Sequence, residues 1–162
     1  MTMTANAEQS TPSNLDWLLD DFVNRVPGAL SAFLASSDGI ELAHAGLTAD
    51  QPENAAALVS TLYSLSRSAG RLTPQQTATA EVRQVVVELD TATLFLMVAG
   101  DGLPQGVEVQ LGADPSKTSS VLGVMASPDA NVGLVGHEMT MMIKSVAEHL
   151  VTTTRRSVGG VQ

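Results

Sequence analysis

The stretch Gln51-Pro-Glu-Asn-Ala-Ala-Ala-Leu-Val-Ser-Thr-Leu-Tyr-Ser-Leu-Ser-Arg-Ser-Ala-Gly-Arg71 decides the fold. Ala55, Leu58, Val59, Leu62, Leu65, Ser66 and Ala69 recur at the i, i+3, i+4, i+7 spacing of a helix stripe, so the spacing predicts one long helix with these residues toward a core. A second line, Ala57, Thr61, Ser64 and Ser68, repeats at the same spacing with small side chains only. Such a line lets another backbone approach closely, and it equally suits a merely solvated face. Asp50 is the expected cap, Pro52 fits the first turn, and Gly70 is the expected stop. Arg67 and Arg71 lie near the carbonyl end, where cations are favourable.

Upstream, Leu15, Leu18, Leu19, Phe22, Val23 and Val26 predict a first helix. Ser13 or Asn14 is its expected N-cap and Pro27-Gly28 its stop. Its other face, with Asp16, Asp20, Asp21, Asn24 and Arg25, reads as solvated. Ala29–Ala35 and Ile40–Ala45 are apolar and separated by Ser36-Ser37-Asp38-Gly39, where Asp-Gly supplies the positive φ of a hairpin turn.

Downstream, Glu81–Leu89 alternates as a strand. Val82, Gln84, Val86 and Glu88 fall on one face, with Arg83, Val85, Val87 and Leu89 on the other. Asp90-Thr91-Ala92 turns into Thr93–Ala99, whose unbroken apolarity fits a central strand. Gly100–Ser116 is a long Gly/Pro-rich connection, with a short strand expected at Val107–Leu111. Another strand lies within Lys117–Ser127. Pro128–Asn131 then caps a last helix, whose stripe is Val132, Val135, Met139, Met142, Ile143, Val146 and Leu150, with Gly133 and Gly136 for close packing. The order of elements implies an α+β domain with a largely antiparallel sheet and helices on its faces. Its expected limits are 13–151 with a long loop at 100–118, and residues 1–12 and 152–162 are expected to be disordered tails.

Composition narrows the function. The chain has 162 residues, 44% hydrophobic and 15% charged, which suits one globular domain. There are no cysteines, so disulfides, thiolate metal sites and Cys nucleophiles are excluded. The net charge is −9, and the eight basic residues are scattered along the sequence, which argues against nucleic acid as a partner. No run reaches the ~20 apolar residues of a membrane span and no secretory signal opens the chain, so a cytoplasmic location without membrane insertion is expected.

Motifs for chemistry are missing. Gly100-Asp101-Gly102 and Gly106 do not have dinucleotide spacing, and Gly112–Thr118 lacks both the second Gly and the helix of a phosphate-binding loop. His137-Glu138 opens like a metalloprotease helix, but Met141 stands where the second His belongs. Met139, Met141 and Met142 read as core filling. The sequence therefore implies no enzyme, cofactor or metal. The alternative to a protein-binding module is a small-ligand sensor whose pocket is covered by the 100–118 loop.

The segments LDWLLDDFVNRVPGALSAFLASSDGIELA (15–43), NAAALVSTLYSLSRSAG (54–70), VRQVVVELDTATLFLMV (82–98) and SPDANVGLVGHEMTMMIKSVAEHL (127–150) resemble the roadblock family of dynein light-chain-like proteins, and within it the actinobacterial conservon branch. The resemblance implies a five-stranded antiparallel sheet, with one long helix on one face and the N- and C-terminal helices on the other. It implies a homodimer in which the strand at Glu81–Leu89 pairs with its copy, and the helix at Ala55–Ala69 joins the same interface. Ala57, Thr61, Ser64, Val82, Gln84 and Val86 are the expected dimer residues. It further implies a non-catalytic regulator or scaffold that binds a small Ras-like GTPase in a bacterial signalling complex. Some family members stimulate GTP hydrolysis through the GTPase's own residues. Ser60, Tyr63 and Arg67 are the expected contacts. A membrane sensor-kinase-like protein completes the set in the conservon branch and would recruit the complex to the membrane. The chain departs from the branch at His137, where an aromatic residue is usual, and in its long 101–118 loop.

Overall fold

The computed structural model describes residues 15–76, 80–104, 118–148 and 150–151. In chain order the elements are α1 (Asp16–Arg25), β1 (Ala29–Ser36), β2 (Glu41–Ala45), α2 (Gln51–Ser68) with a 3-10 turn over Ala69–Leu72, β3 (Gln84–Glu88), β4 (Thr93–Asp101), β5 (Leu103–Pro104), β6 (Ser119–Ala126), α3 (Val132–Ala147) and β7 (Leu150–Val151). Five strands form one sheet in the order β2-β1-β6-β4-β3, and every pairing in it is antiparallel. β5 and β7 form a separate two-stranded ribbon.

The sheet divides two apolar layers because strand side chains alternate. Ala32, Leu34, Phe95, Leu122 and Val124 face α1 and α3, where they meet Leu19, Phe22, Val135 and Met139. Phe33, Ala35, Leu94, Leu96 and Val121 face α2 and pack with Ala56 and Val59. One long helix thus covers one face and the two terminal helices cover the other, as the sequence resemblance implies.

Local chemistry explains the boundaries. Gly39 turns β1 into β2 at φ +98°, and the Ser36 hydroxyl accepts the Ile40 N–H at 2.8 Å. At the start of α3 the Asn131 side chain accepts the Leu134 N–H at 3.0 Å, the expected cap. In the middle of the sheet, Phe33 lies over Gly123. A Cβ at Gly123 would stand 2.1 Å from the ring, so only glycine fits beneath it.

Several expectations need correction. The long helix stops at Ser68, not Arg71, and Gly70 is buried inside the 3-10 turn that follows. Asp50 makes no side-chain cap bond. The strand expected from Glu81 begins at Gln84, and β4 runs two residues past Ala99. Val132 is exposed and Leu150 has left the helix for β7, so neither belongs to the α3 stripe; Met141 is also exposed. On α1, Leu15 occupies the cap position without a side-chain bond. Two residues of its supposedly solvated face are engaged: Asp16 accepts the His44 N–H at 3.1 Å, and Arg25 pairs with Glu138 of α3 at 2.5 Å. That carboxylate raises the Arg25 pKa above its ordinary value. Ser13, Asn14, the tails and the Val107–Leu111 strand lie outside the described residues.

Candidate functional site

The two edges of the sheet are treated differently. At β2, the outward His44 N–H is taken by Asp16 from the first turn of α1. At β3, no described residue takes the outward backbone groups. The Leu89 N–H donates to the Ala92 carbonyl at 2.8 Å, which makes Leu89 and Ala92 a hydrogen-bonded pair closing the hairpin. Antiparallel pairs alternate in kind, and the register Val87–Leu94, Val85–Leu96 follows from it. Gln84, Val86 and Glu88 therefore turn their N–H and C=O groups away from β4. An unprotected edge is a template for another strand.

The side chains of β3 reinforce this. Val85 and Val87 pack into the layer beneath α2. Gln84, Val86 and Glu88 point to the opposite face, where they are exposed, and Val86 keeps 43% of its surface accessible. α1 lies over β1 and β2 and α3 over β4 and β6, so neither terminal helix covers β3. Val82, expected in the same line, is half-buried and precedes the strand.

On α2 the core-facing stripe keeps Ala55, Val59 and Leu62 of the expected line but not Leu58, Leu65 or Ala69. Pro52, Ala56 and Val59 are buried, with Ala55, Leu62 and Tyr63 packed beside them. Leu58 and Leu65 instead remain 43% and 63% exposed. They share an outer surface with the exposed Ala57, Thr61, Ser64 and Ser68. The Thr61 hydroxyl donates to the Ala57 carbonyl and that of Ser68 to the Leu65 carbonyl, so both small polar residues are turned back onto their own helix. The outer face is consequently less polar than its composition suggests.

The flanks of α2 can be assigned. A side chain at Gly39, in the β1–β2 turn, would meet Ser60 and the Ala56 carbonyl. The flank carrying Ser60 thus leans toward that turn, and Leu58 and Leu65 lie on the opposite flank of the helix. Ser60, Tyr63 and Arg67 are brought together as half-buried neighbours, with the Arg67 guanidinium 5.7 Å from the Tyr63 ring centre. That is stacking distance for a cation on an aromatic face.

Sequence periodicity assigned Leu58 and Leu65 to the core and so missed them as surface residues. The signal that separates them is the buried Pro52-Ala56-Val59 line, which rotates the helix away from its larger side chains. Among the described residues, no group of three or more His, Cys, Asp or Glu side chains lies together to hold a metal, and no helix is long and apolar enough to cross a membrane. His137 is exposed on α3. The loop that would cover the pocket of the ligand-sensor alternative lies, over residues 105–117, outside the described residues.

Comparison with known proteins places these surfaces in a family. The Roadblock/LC7 domain model matches residues 15–103. A Roadblock/LC7 domain from Streptomyces avermitilis is 40% identical, covering 86% of this chain and 100% of that chain, with a TM-score of 0.69. A second Roadblock/LC7 domain, titled as from Streptomyces avermitillis, is 27% identical over 82% of this chain and 98% of that one, with a TM-score of 0.58. Myxococcus xanthus MglB shares the fold at 16% identity and a TM-score of 0.63, with 83% and 92% of the two chains covered. No curated protein matches the chain.

Proposed function

The chain belongs to the Roadblock/LC7 family, and from that premise we propose that it is a homodimeric regulator or scaffold for a small Ras-like GTPase in a bacterial signalling complex. The observation that carries the reading is the β3 edge, left without a partner among the described residues, next to a helix whose exposed face carries Leu58 and Leu65. A second copy pairing along Gln84–Glu88 would extend the sheet and satisfy the outward backbone groups. Leu58 and Leu65 would meet their counterparts, with Val86 on the other face. Ala57, Thr61 and Ser64 line the outer surface between this flank and the one that carries Ser60, Tyr63 and Arg67. Those last three lie on the other flank of α2 and are the contacts proposed for the GTPase.

The reading assigns no catalytic residue to this chain. Any effect on GTP hydrolysis would come from ordering the GTPase's own groups. Contact with a membrane would run through a partner such as a sensor-kinase-like protein.

The test is mass by light scattering. The chain alone is expected at twice its monomer mass. It is then mixed with small Ras-like GTPases from the same genome, each loaded with GDP or a non-hydrolysable GTP analogue. Gain of mass with one nucleotide form supports a nucleotide-dependent regulator, and equal gain with both supports a scaffold. A monomer that ignores both forms refutes the proposal.

A further inference from the structure

The basic residues are scattered in the sequence, yet Arg67 and Arg71 share one end of α2 and its 3-10 turn in the fold. No carboxylate occurs between Glu53 and Glu81, and this interval contains Arg67 and Arg71. The Ala80 N–H donates to the Arg67 carbonyl at 3.2 Å, which holds the lead-in to β3, including Arg83, at the same end of α2. A protein of net charge −9 thus gathers three of its eight basic residues at one end of one helix.

These cations are not spent on internal ion pairs. Among the described residues, the ion pairs join Arg25 to Asp21 and Glu138, and His44 to Glu41. Arg67 makes its contact with the Tyr63 ring, and Arg71 is exposed in the 3-10 turn. The stacking matters physically. A long flexible side chain loses rotamer freedom when it binds, and a guanidinium already resting on an aromatic face loses less. The ring lies to one side of the cation, and no described carboxylate takes its N–H groups, which remain for a planar acceptor.

We propose that the Tyr63-Arg67-Arg71 end of α2 is a preorganised receptor for carboxylates on the partner protein, so the GTPase bound here presents an acidic patch to it. This rests on the GTPase reading above and adds the chemistry of the surface recognised. The acceptors are protein carboxylates, not the phosphates of the bound nucleotide. Tyr63 acts as a positioning residue, through Arg67.

The experiment measures affinity by titration calorimetry at several salt concentrations, using the full chain and the small Ras-like GTPase that binds it in light scattering, in its binding-competent nucleotide form. Single-turnover GTP hydrolysis is followed in parallel. Arg67→Gln is expected to weaken binding about tenfold, and adding Arg71→Gln to weaken it further and flatten its salt dependence, because charge steering and pairing are lost together. Tyr63→Phe keeps the ring and should bind as the unaltered chain does. Arg67→Lys keeps the charge but not the planar fork and should fall between. All four variants should retain the mass of the unaltered chain in light scattering.

If the unaltered chain binds neither nucleotide form, the GTPase reading fails and this inference with it. If the unaltered chain binds but the double variant binds equally well with the same salt dependence, this inference alone is overturned. If the double variant binds normally but no longer stimulates hydrolysis, the arginines serve the nucleotide phosphates, which also overturns it.

Discussion

Val86→Pro separates the proposed dimer from the fold of one copy. Val86 directs its N–H and C=O away from β4, because the Leu89–Ala92 pair fixes which residues of β3 bond inward. Proline here removes no ladder bond within the chain, and proline is tolerated on an edge whose N–H faces outward. Its side chain is also 43% exposed, so little apolar burial is lost. The monomer should lose no more than about 1 kcal/mol. The dimer loses more. Symmetric pairing about Val86 would set Gln84 opposite Glu88 of the second copy and form about six backbone bonds. The substitution occurs twice, removing two donors and leaving two acceptors facing proline rings. At ~1 kcal/mol per bond, the loss is at least about 2 kcal/mol, or roughly thirtyfold in dissociation constant, before steric conflict is added. Sedimentation equilibrium reads the dimer and urea denaturation reads the monomer. Val87→Pro is the control: it removes an inward donor to Leu94 and should destabilise the fold itself. A Val86→Pro chain that dimerises with an unchanged constant would refute pairing through β3.

Three further outcomes follow from the packing. Leu65→Asp places a charge on a residue that is already 63% exposed, so the monomer's unfolding free energy from urea denaturation should change by no more than about 0.5 kcal/mol while its mass falls to that of one copy. Gly123→Ala forces a Cβ within 2.1 Å of the Phe33 ring; the expected cost is about 1–3 kcal/mol in urea denaturation, and combining it with Phe33→Leu should show strong non-additivity. Asn131→Ala removes the acceptor of the Leu134 N–H and should cost about 1 kcal/mol, with the GTPase affinity unchanged.

The sheet and its helices were legible because their signals are local and redundant. The alternation of Val85, Val86 and Val87 sets the two faces of β3 whichever neighbour it meets. Asp38-Gly39 marks the hairpin, and Asn131 marks the start of α3 by capping chemistry. The end of α2 was not legible. Gly70 is a helix stop by propensity, yet the chain tightens into a 3-10 turn one residue before it and buries the glycine. The engagement of Asp16 and Arg25 was equally hidden, since each is satisfied by a residue far away in the chain, His44 and Glu138.

The rotation of α2 shows why a fold can be readable while a site is not. Periodicity gives the spacing of a stripe but only weakly its phase. In Ala55–Leu65 two overlapping sets satisfy helical spacing, one with Leu58 and Leu65, the other with Ala56 and Val59. Summed hydrophobicity favours the leucines. The fold buries Pro52, Ala56 and Val59, with Leu62 and Tyr63 beside them, above Phe33, Leu94 and Leu96. Leu58 and Leu65 are then left on the surface of a helix that touches β3, an edge strand whose outward backbone groups meet no partner among the described residues. Keeping an exposed apolar flank has a solubility cost that a monomer would not need. The β2 edge shows that this fold has a means of closing an edge, with Asp16 on His44. That the means is used at one edge and not at the other argues that β3 and the flank of α2 are to be covered together, by one partner surface that supplies both a strand and an apolar helix face. A second copy of the same chain carries both.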